Sequence, residues 1–137
     1  MTWQWSASAG KYLRFYSGAP DILIDKSQTA AANVVILSVQ TATGSWVENS
    51  EGGHEVDVTA TGSGPLVVMR NGVAITGTWS RAALTTPATL TSANGTPITL
   101  PPGNTWEELV PDGIPVTPAG SPPHPTTGAG PSTTKAP

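Results

Sequence analysis

Two Asn-Gly pairs constrain this chain more than any other feature, because each marks a tight reversal between extended segments. A two-residue type I′ turn needs positive φ at both central residues, and Asn-Gly adopts that conformation at little cost. Asn71-Gly72 therefore predicts a hairpin that joins a strand at 66–70 to a strand at 73–79. Asn94-Gly95 predicts a second hairpin of the same kind within 89–100.

Alternation of polar and apolar residues predicts further strands. Residues 12–16 and 55–60 alternate with period two, which is typical of strands with one wet face. In the second of these, Val56 and Val58 are expected on the buried side. The run from Asn33 to Val39 is almost continuously apolar and β-branched, which favours a central strand covered on both faces.

The density of turn residues sets the fold class. The chain has 15 Gly and 14 Pro among 137 residues, which suits short strands joined by tight turns better than a helical bundle. We expect an all-β fold of about eight or nine short, mainly antiparallel strands, closed as a small barrel or packed as a two-sheet sandwich. Residues 28–32 are the one stretch that suits a helix, of about one turn.

The C-terminal segment differs in composition from the rest. From Thr117 onward every residue except His124 and Lys135 is Thr, Pro, Ala, Gly or Ser. Such a segment buries too little apolar surface to offset the ordering of its backbone. The sequence therefore predicts a β-rich domain at 1–112 and a disordered, Pro/Thr/Gly-rich tail at 113–137.

Composition excludes several function classes. The formal net charge of −3 and six scattered Lys and Arg residues provide no basic patch for nucleic acid. The chain has no cysteine, so a disulfide framework, a thiolate metal site and a cysteine nucleophile are excluded. No stretch approaches the roughly 18 apolar residues of a membrane-spanning helix. We expect no cofactor and no metal.

The residues that suggest catalysis each have a simpler interpretation. Ser63 lies between two glycines, but the spacing is not that of a nucleophile elbow, and a turn between strands explains it. His54 is expected to be a solvated loop histidine. Asp21 and Asp25 would lie about 13 Å apart on one strand face, too far for a glycosidase pair, and Asp25 is expected to head a turn at Lys26-Ser27. We therefore predict no catalytic residues.

Tryptophan is the residue type that most favours a binding role. Among the five tryptophans, Trp79 and Trp106 lie in alternating strands and are expected in the core. Trp3, Trp5 and Trp46 lie near a terminus or a loop and are candidates for a platform that stacks on a sugar or a peptide.

Several short motifs occur in a recognisable order along the chain. They are Gly-Lys-Tyr-Leu-Arg-Phe-Tyr-Ser-Gly-Ala-Pro at 10–20, Asn-Val-Val-Ile at 33–36, Gly-Ser-Gly at 62–64, Arg-Asn-Gly at 70–72, Gly-Thr-Trp at 77–79 and Leu-Pro-Pro-Gly-Asn-Thr-Trp at 100–106. Taken together, they resemble the C-terminal domain of the YerB-like bacterial lipoproteins, a family of unknown function. The resemblance covers nearly all of residues 3–111 and implies an exported, lipid-anchored protein of the cell envelope with another domain before this one. It implies no catalytic residue.

These observations lead to one expected function and two alternatives. We expect a non-catalytic, extracytoplasmic domain that binds an envelope protein or a cell-wall component, or supports a preceding domain. A wall-active hydrolase or transferase would instead require a deep polar cleft that joins His54 to Asp21, Asp25 or Ser63. A sugar-binding module would require a coplanar, exposed pair of tryptophans.

Overall fold

The computed structural model describes residues 1–118, and all of their regular structure is β. The predicted all-β class is confirmed. The ten strands are β1 (Thr2–Ser6), β2 (Lys11–Tyr16), β3 (Ala19–Pro20), β4 (Ala30–Ala31), β5 (Asn33–Val47), β6 (His54–Thr59), β7 (Gly62–Arg70), β8 (Val73–Arg81), β9 (Thr89–Ser92) and β10 (Thr105–Pro111). The greater part of the predicted tail, residues 119–137, lies outside the described residues.

The strands form two sheets that do not close into a barrel within residues 1–118, so of the two predicted arrangements the two-sheet one is confirmed. The smaller sheet has β2 at its centre, with β1 on one side and the two-residue strands β3 and β4 on the other. The larger sheet runs in the order β10-β5-β7-β8-β9, and β6 pairs with the far half of β5. All strand pairs are antiparallel except β10 with β5.

Strand β5 is the predicted central strand, and its first half is covered on both faces. Val35, Leu37 and Val39 pack on one face with Leu66, Val68 and Trp79. Val34 packs on the other face with Tyr12 and Ala31 of the smaller sheet. A strand that is buried on both sides has no wet face, which explains why its sequence is apolar without alternation.

The two Asn-Gly pairs form different turns. Asn71 and Gly72 have φ of 49° and 75°, as the predicted type I′ hairpin requires, and β7 pairs with β8 directly across it. At the second pair only Gly95 has positive φ, and its amide donates to the Ser92 carbonyl. The prediction of a second type I′ turn is therefore wrong, because Gly95 is the last residue of a tight turn that begins at Ser92. The predicted reversal of the chain is present, since Thr91 pairs with Pro97 and the Ile98 amide donates to the Leu90 carbonyl.

Two other local predictions are also wrong. Residues 28–32 form no helix, since Ala30 and Ala31 pair with β2 and Ala31 is fully buried against the larger sheet. A single helical turn has too few hydrogen bonds to compete with such pairing. Val56 and Val58 are 63% and 44% exposed, because β6 and the end of β5 form a two-stranded ribbon that projects from the sheet.

The turn before β10 is anchored by two asparagines. The Asn104 side chain donates from Nδ2 to the Ala30 carbonyl at 2.8 Å. The Asn104 backbone carbonyl accepts hydrogen bonds from the amides of Ala32 and Asn33. Asn33 is fully buried and donates to the Pro101 carbonyl at 3.0 Å. These bonds position β10 beside β5 in parallel register, with Trp106 opposite Val34.

Trp79→Ala should lower the free energy of unfolding by about 3–5 kcal/mol. The ring is 2% exposed, and its Nε1 donates to the Ser38 carbonyl at 2.8 Å, so truncation leaves both a cavity and an unpaired acceptor. Trp46→Ala is the matched control, because Trp46 is 75% exposed. Urea unfolding of both variants checks the prediction, and equal effects would contradict the assignment of Trp79 to the core.

Candidate functional site

An open groove of about 820 Å³ lies between the smaller sheet and the larger one. It has an aromatic wall from β1 and β2, an apolar floor from the larger sheet, and a second wall formed by the chain beyond β10. A groove of this size falls in the range of sites that bind small molecules or short peptide segments.

The aromatic wall consists of Trp3, Trp5 and Tyr12. Trp3 and Trp5 are two residues apart on β1, so their side chains leave the strand on the same face. Tyr12 lies directly opposite Trp5 on β2, and the two ring centroids are 4.9 Å apart at an interplanar angle of 56°. The Trp3 ring packs against Trp106 of the larger sheet, with centroids 5.5 Å apart and a tilt of 57°.

The floor of the groove is one face of the larger sheet. Ile36 lies opposite Val67 across β5 and β7, and Met69 lies opposite Ala74 across β7 and β8. Because alternate residues of a strand share a face, Ile36, Val67 and Met69 point to the same side of the sheet. The smaller sheet covers only part of this face, and the uncovered part is the floor.

The second wall is the segment from Ile114 to Pro118, which follows β10. All five of its residues line the groove. It is held near its start by the Asp112 amide, which donates to the Val39 carbonyl at 2.8 Å, and by the Ile114 amide, which donates to the Pro111 carbonyl at 3.1 Å. The sequence assigns this segment to the tail, yet Ile114 and Val116 are aliphatic residues in an otherwise polar and Pro-rich stretch, which is the signal that distinguishes it.

Few polar groups border the groove. The Trp3 indole donates to a carboxylate oxygen of Glu108 at 3.1 Å, which ties β1 to β10. The Tyr12 hydroxyl donates to the Val73 carbonyl at 3.3 Å, and burial raises the pKa of Tyr12. Tyr12 is therefore a neutral hydrogen-bond donor at neutral pH.

The hairpin turn at Asn71-Gly72 contacts the aromatic wall. A Cβ atom at Gly72 would lie 2.9 Å from Nε1 of Trp5, closer than a side chain tolerates. Glycine is thus required here both by its positive φ and by the approach of the indole ring.

The structure brings together two of the three tryptophans that the sequence proposes for binding. Trp3 and Trp5 line the groove, whereas Trp46 lies on the ribbon formed by β5 and β6 and does not line it. Sequence reasoning missed Tyr12, Gly72 and the segment 114–118 as parts of this groove. Trp106, expected in the core, is only partly buried and supports Trp3.

The residues considered for catalysis lie outside the groove. His54 is the first residue of β6, not a loop residue, and its Nδ1 lies 3.0 Å from the Gly44 carbonyl oxygen. Ser63 lies within β7 opposite Ser80 and not in a turn, so that expectation is wrong. Asp25 does head a turn as expected, since its Oδ1 accepts from the Ser27 amide and hydroxyl.

Asp21 forms an ion pair with Arg14, whose guanidinium also contacts the Trp106 ring. Its Oδ2 lies 2.6 Å from Nη1 of Arg14, and the hydrogen bond from Arg14 lowers the pKa of the Asp21 carboxyl. The Arg14 guanidinium lies 4.9 Å from the centroid of the Trp106 ring, in a cation–π contact. Within residues 1–118 no three His, Asp or Glu side chains come together as a metal site would require.

Comparison with known proteins places the chain in a family. Residues 1–106 match the model of the C-terminal domain of a protein family of unknown function, DUF3048, and the chain belongs to that family. The crystal structure of the YerB protein from Bacillus subtilis is similar, with a TM-score of 0.62 and 19% identity over 80% of this chain. The chain spans 35% of the length of that YerB structure. No curated protein matches the chain.

The predicted resemblance to YerB-like proteins is thereby confirmed. With 19% identity, the YerB structure shows the fold alone. Of the residues that the structure describes, none belongs to a helix capable of crossing a membrane.

Gly72→Ala should destabilise the domain more than Gly18→Ala. Both glycines have positive φ, at 75° and 82°, so each substitution incurs a backbone cost of about 1–2 kcal/mol. Only at Gly72 does the new methyl group also displace the Trp5 ring, since Gly18 has no neighbouring atom within 4 Å. Urea unfolding with tryptophan fluorescence checks this, and equal losses in the two variants would show that the Trp5 contact adds nothing.

Asp21→Asn should remove part of the acid sensitivity of the fold. Because the folded-state pKa is lowered, the ion pair stabilises the protein fully above the ordinary Asp pKa, and this contribution is lost as the pH falls through the folded-state value. The stability difference between wild type and Asp21→Asn should therefore be present at pH 7 and shrink toward pH 2. Urea midpoints across that range measure it, with Asp57→Asn as the control for removing a negative charge; a difference independent of pH would contradict the ion-pair assignment.

Proposed function

We propose that this is a non-catalytic binding domain whose groove receives a protein segment. The observation that carries the proposal is the groove itself, which is lined by Trp3, Trp5 and the apolar side chains of its floor. Tryptophan, tyrosine and methionine are the side chains enriched where proteins bind one another, and Met69 lies in the floor. Glu108 and the backbone of the walls add a few polar groups that would orient a ligand.

The distribution of the candidate catalytic residues supports a non-enzymatic role. A general base must lie within hydrogen-bond reach of a nucleophile and be oriented by a third group. His54, Ser63 and Asp25 do not line the groove, and His54 and Asp25 have local partners in a strand ribbon and a turn. The alternative of a wall-active hydrolase or transferase would need these groups in one cleft.

The geometry of the tryptophans favours a protein ligand over a sugar. Sugar rings stack on flat, exposed aromatic faces, and the expected platform is a coplanar pair. Trp3 and Trp5 are each paired instead with a second ring at tilts of 57° and 56°. Such tilted clusters provide apolar edges and clefts for side chains. A sugar-binding module remains the second candidate because Trp5 and Trp46 are both exposed.

We further propose that the domain works in the cell envelope, as part of an exported and lipid-anchored protein. The resemblance to the YerB-like lipoproteins supports this location. This chain covers 35% of the YerB structure, which supports a longer parent protein. The remaining part of such a protein is one source of a segment that binds in the groove.

Trp5→Ala should weaken capture of an envelope protein by about thirtyfold or more, because a central aromatic residue of an interface commonly contributes 2 kcal/mol or more. Trp46→Ala is the matched control, an exposed tryptophan outside the groove. His54→Ala and Ser63→Ala should leave capture unchanged. Retention of the same protein by the four immobilised variants is measured as a function of extract concentration.

Parallel sedimentation with purified cell-wall sacculi tests the other ligand class. Loss of sacculus binding in Trp5→Ala and Trp46→Ala together, without any protein capture, would favour the sugar-binding module. Equal capture by wild type and Trp5→Ala would overturn the groove as the binding site. If His54→Ala or Ser63→Ala folds but loses capture of the envelope protein, the non-catalytic proposal fails and the wall-active hydrolase or transferase takes its place.

A further inference from the structure

The last described segment of the chain carries a proline spacing that is repeated beyond it. Pro115-Val116-Thr117-Pro118 lines the groove, and Pro122-Pro123-His124-Pro125 repeats the Pro-x-x-Pro spacing seven residues later. In a polyproline II helix, with three residues per turn, prolines three apart lie on the same face. Each of the two segments can therefore present two prolines to one surface.

We propose that the segment Ser121–Pro125 of this chain binds the aromatic wall of the groove and competes there with the protein ligand. The inference rests on the proposed function, since it assigns the same groove a ligand class, an extended proline-rich peptide. The juxtaposition that carries it is that Pro118, the last described residue, already lines the same groove as Trp3, Trp5 and Tyr12.

The chemistry of the wall suits such a ligand. Proline-rich segments dock in grooves lined by aromatic side chains, because the polyproline II conformation is already formed and little entropy is lost on binding. Prolines pack on the faces and edges of aromatic rings, and Trp5, which is 37% exposed, and the partly buried Trp3 provide such surfaces beside the buried Tyr12. The ligand backbone carbonyls, which polyproline II leaves unpaired, need donors, and the indole N–H of Trp5 is of that kind, whereas that of Trp3 donates to Glu108.

The linker between the two proline pairs is short. Ala119-Gly120-Ser121 separates Pro118 from Pro122, and four residues with the rise of polyproline II span about 12 Å. The second proline pair is therefore tethered close to Pro118, which itself lines the groove.

Tethering makes even a weak contact effective. A ligand joined by a short linker experiences an effective concentration on the order of millimolar. If the untethered peptide binds with a Kd near a tenth of that value, the groove is occupied about nine-tenths of the time, and a competing partner binds about tenfold more weakly. The tail would then regulate access to the groove without any change in the fold.

The test uses the full chain with substitutions confined to the tail. In the triple variant Pro122→Ser, Pro123→Ser, Pro125→Ser, the indole N–H signals of Trp3 and Trp5 should shift in NMR spectra relative to wild type, while those of Trp46 and Trp79 stay in place. The matched control is Pro131→Ser with Pro137→Ser, which removes prolines outside the repeated spacing and should shift none of these signals. A synthetic peptide of residues 119–128, added to the triple variant, should return the Trp3 and Trp5 signals toward their wild-type positions in a saturable titration.

The outcomes separate this inference from the proposed function. Identical Trp3 and Trp5 signals in wild type and the triple variant overturn the tail as a ligand, and so does a peptide titration that shifts Trp46 equally. If the tail binds, the triple variant should also capture the envelope protein up to about tenfold more strongly than wild type. Capture that depends on Trp5 but is unchanged in the triple variant would leave the protein-binding groove standing and reject the competing tail.

Discussion

The burial of β5 on both faces is the constraint on which the rest of the structure depends. Its first half pairs with β7 on one edge and with β10 on the other, and it separates two apolar clusters. One cluster lies within the larger sheet and its overlying segments, around Trp79. The other joins the larger sheet to the smaller one, around Tyr12 and Val34. Because both clusters share this strand, the two sheets are held in a single relative position.

That arrangement also explains why a groove exists. The smaller sheet has short strands, and β3 and β4 contain two residues each, so it covers only part of the face that β5, β7 and β8 present. The remaining apolar surface is partly covered by Ile114–Pro118 and otherwise borders the gap. Exposed apolar surface of this kind, rimmed by aromatic residues, marks an interaction site more often than a packing defect.

The site is coupled to the fold through a small number of contacts. Trp3 reaches Glu108 of β10, Tyr12 reaches the Val73 carbonyl just after the hairpin turn, and Trp5 rests against Gly72 in that turn. Each aromatic residue of the wall is therefore anchored to a different strand or turn of the larger sheet. A wall built in this way is preformed, which limits the entropy lost when a ligand is bound.

What the sequence determined by itself was local. The alternation in β2, the apolar run of β5 and the Asn71-Gly72 turn identified the strands and the all-β class, since period and turn chemistry depend on neighbouring residues. The family resemblance was also readable, because its motifs are short strand segments and the turns beside them. The tertiary structure decided the rest: that Val56 and Val58 are exposed on a projecting ribbon, that residues 30–31 form a strand, and that Trp3 and Trp5, but not Trp46, share a groove with Ile114–Pro118. These three features depend on which strand faces are covered by distant parts of the chain. The pattern of apolar residues in a strand does not specify which other segment packs against its apolar face.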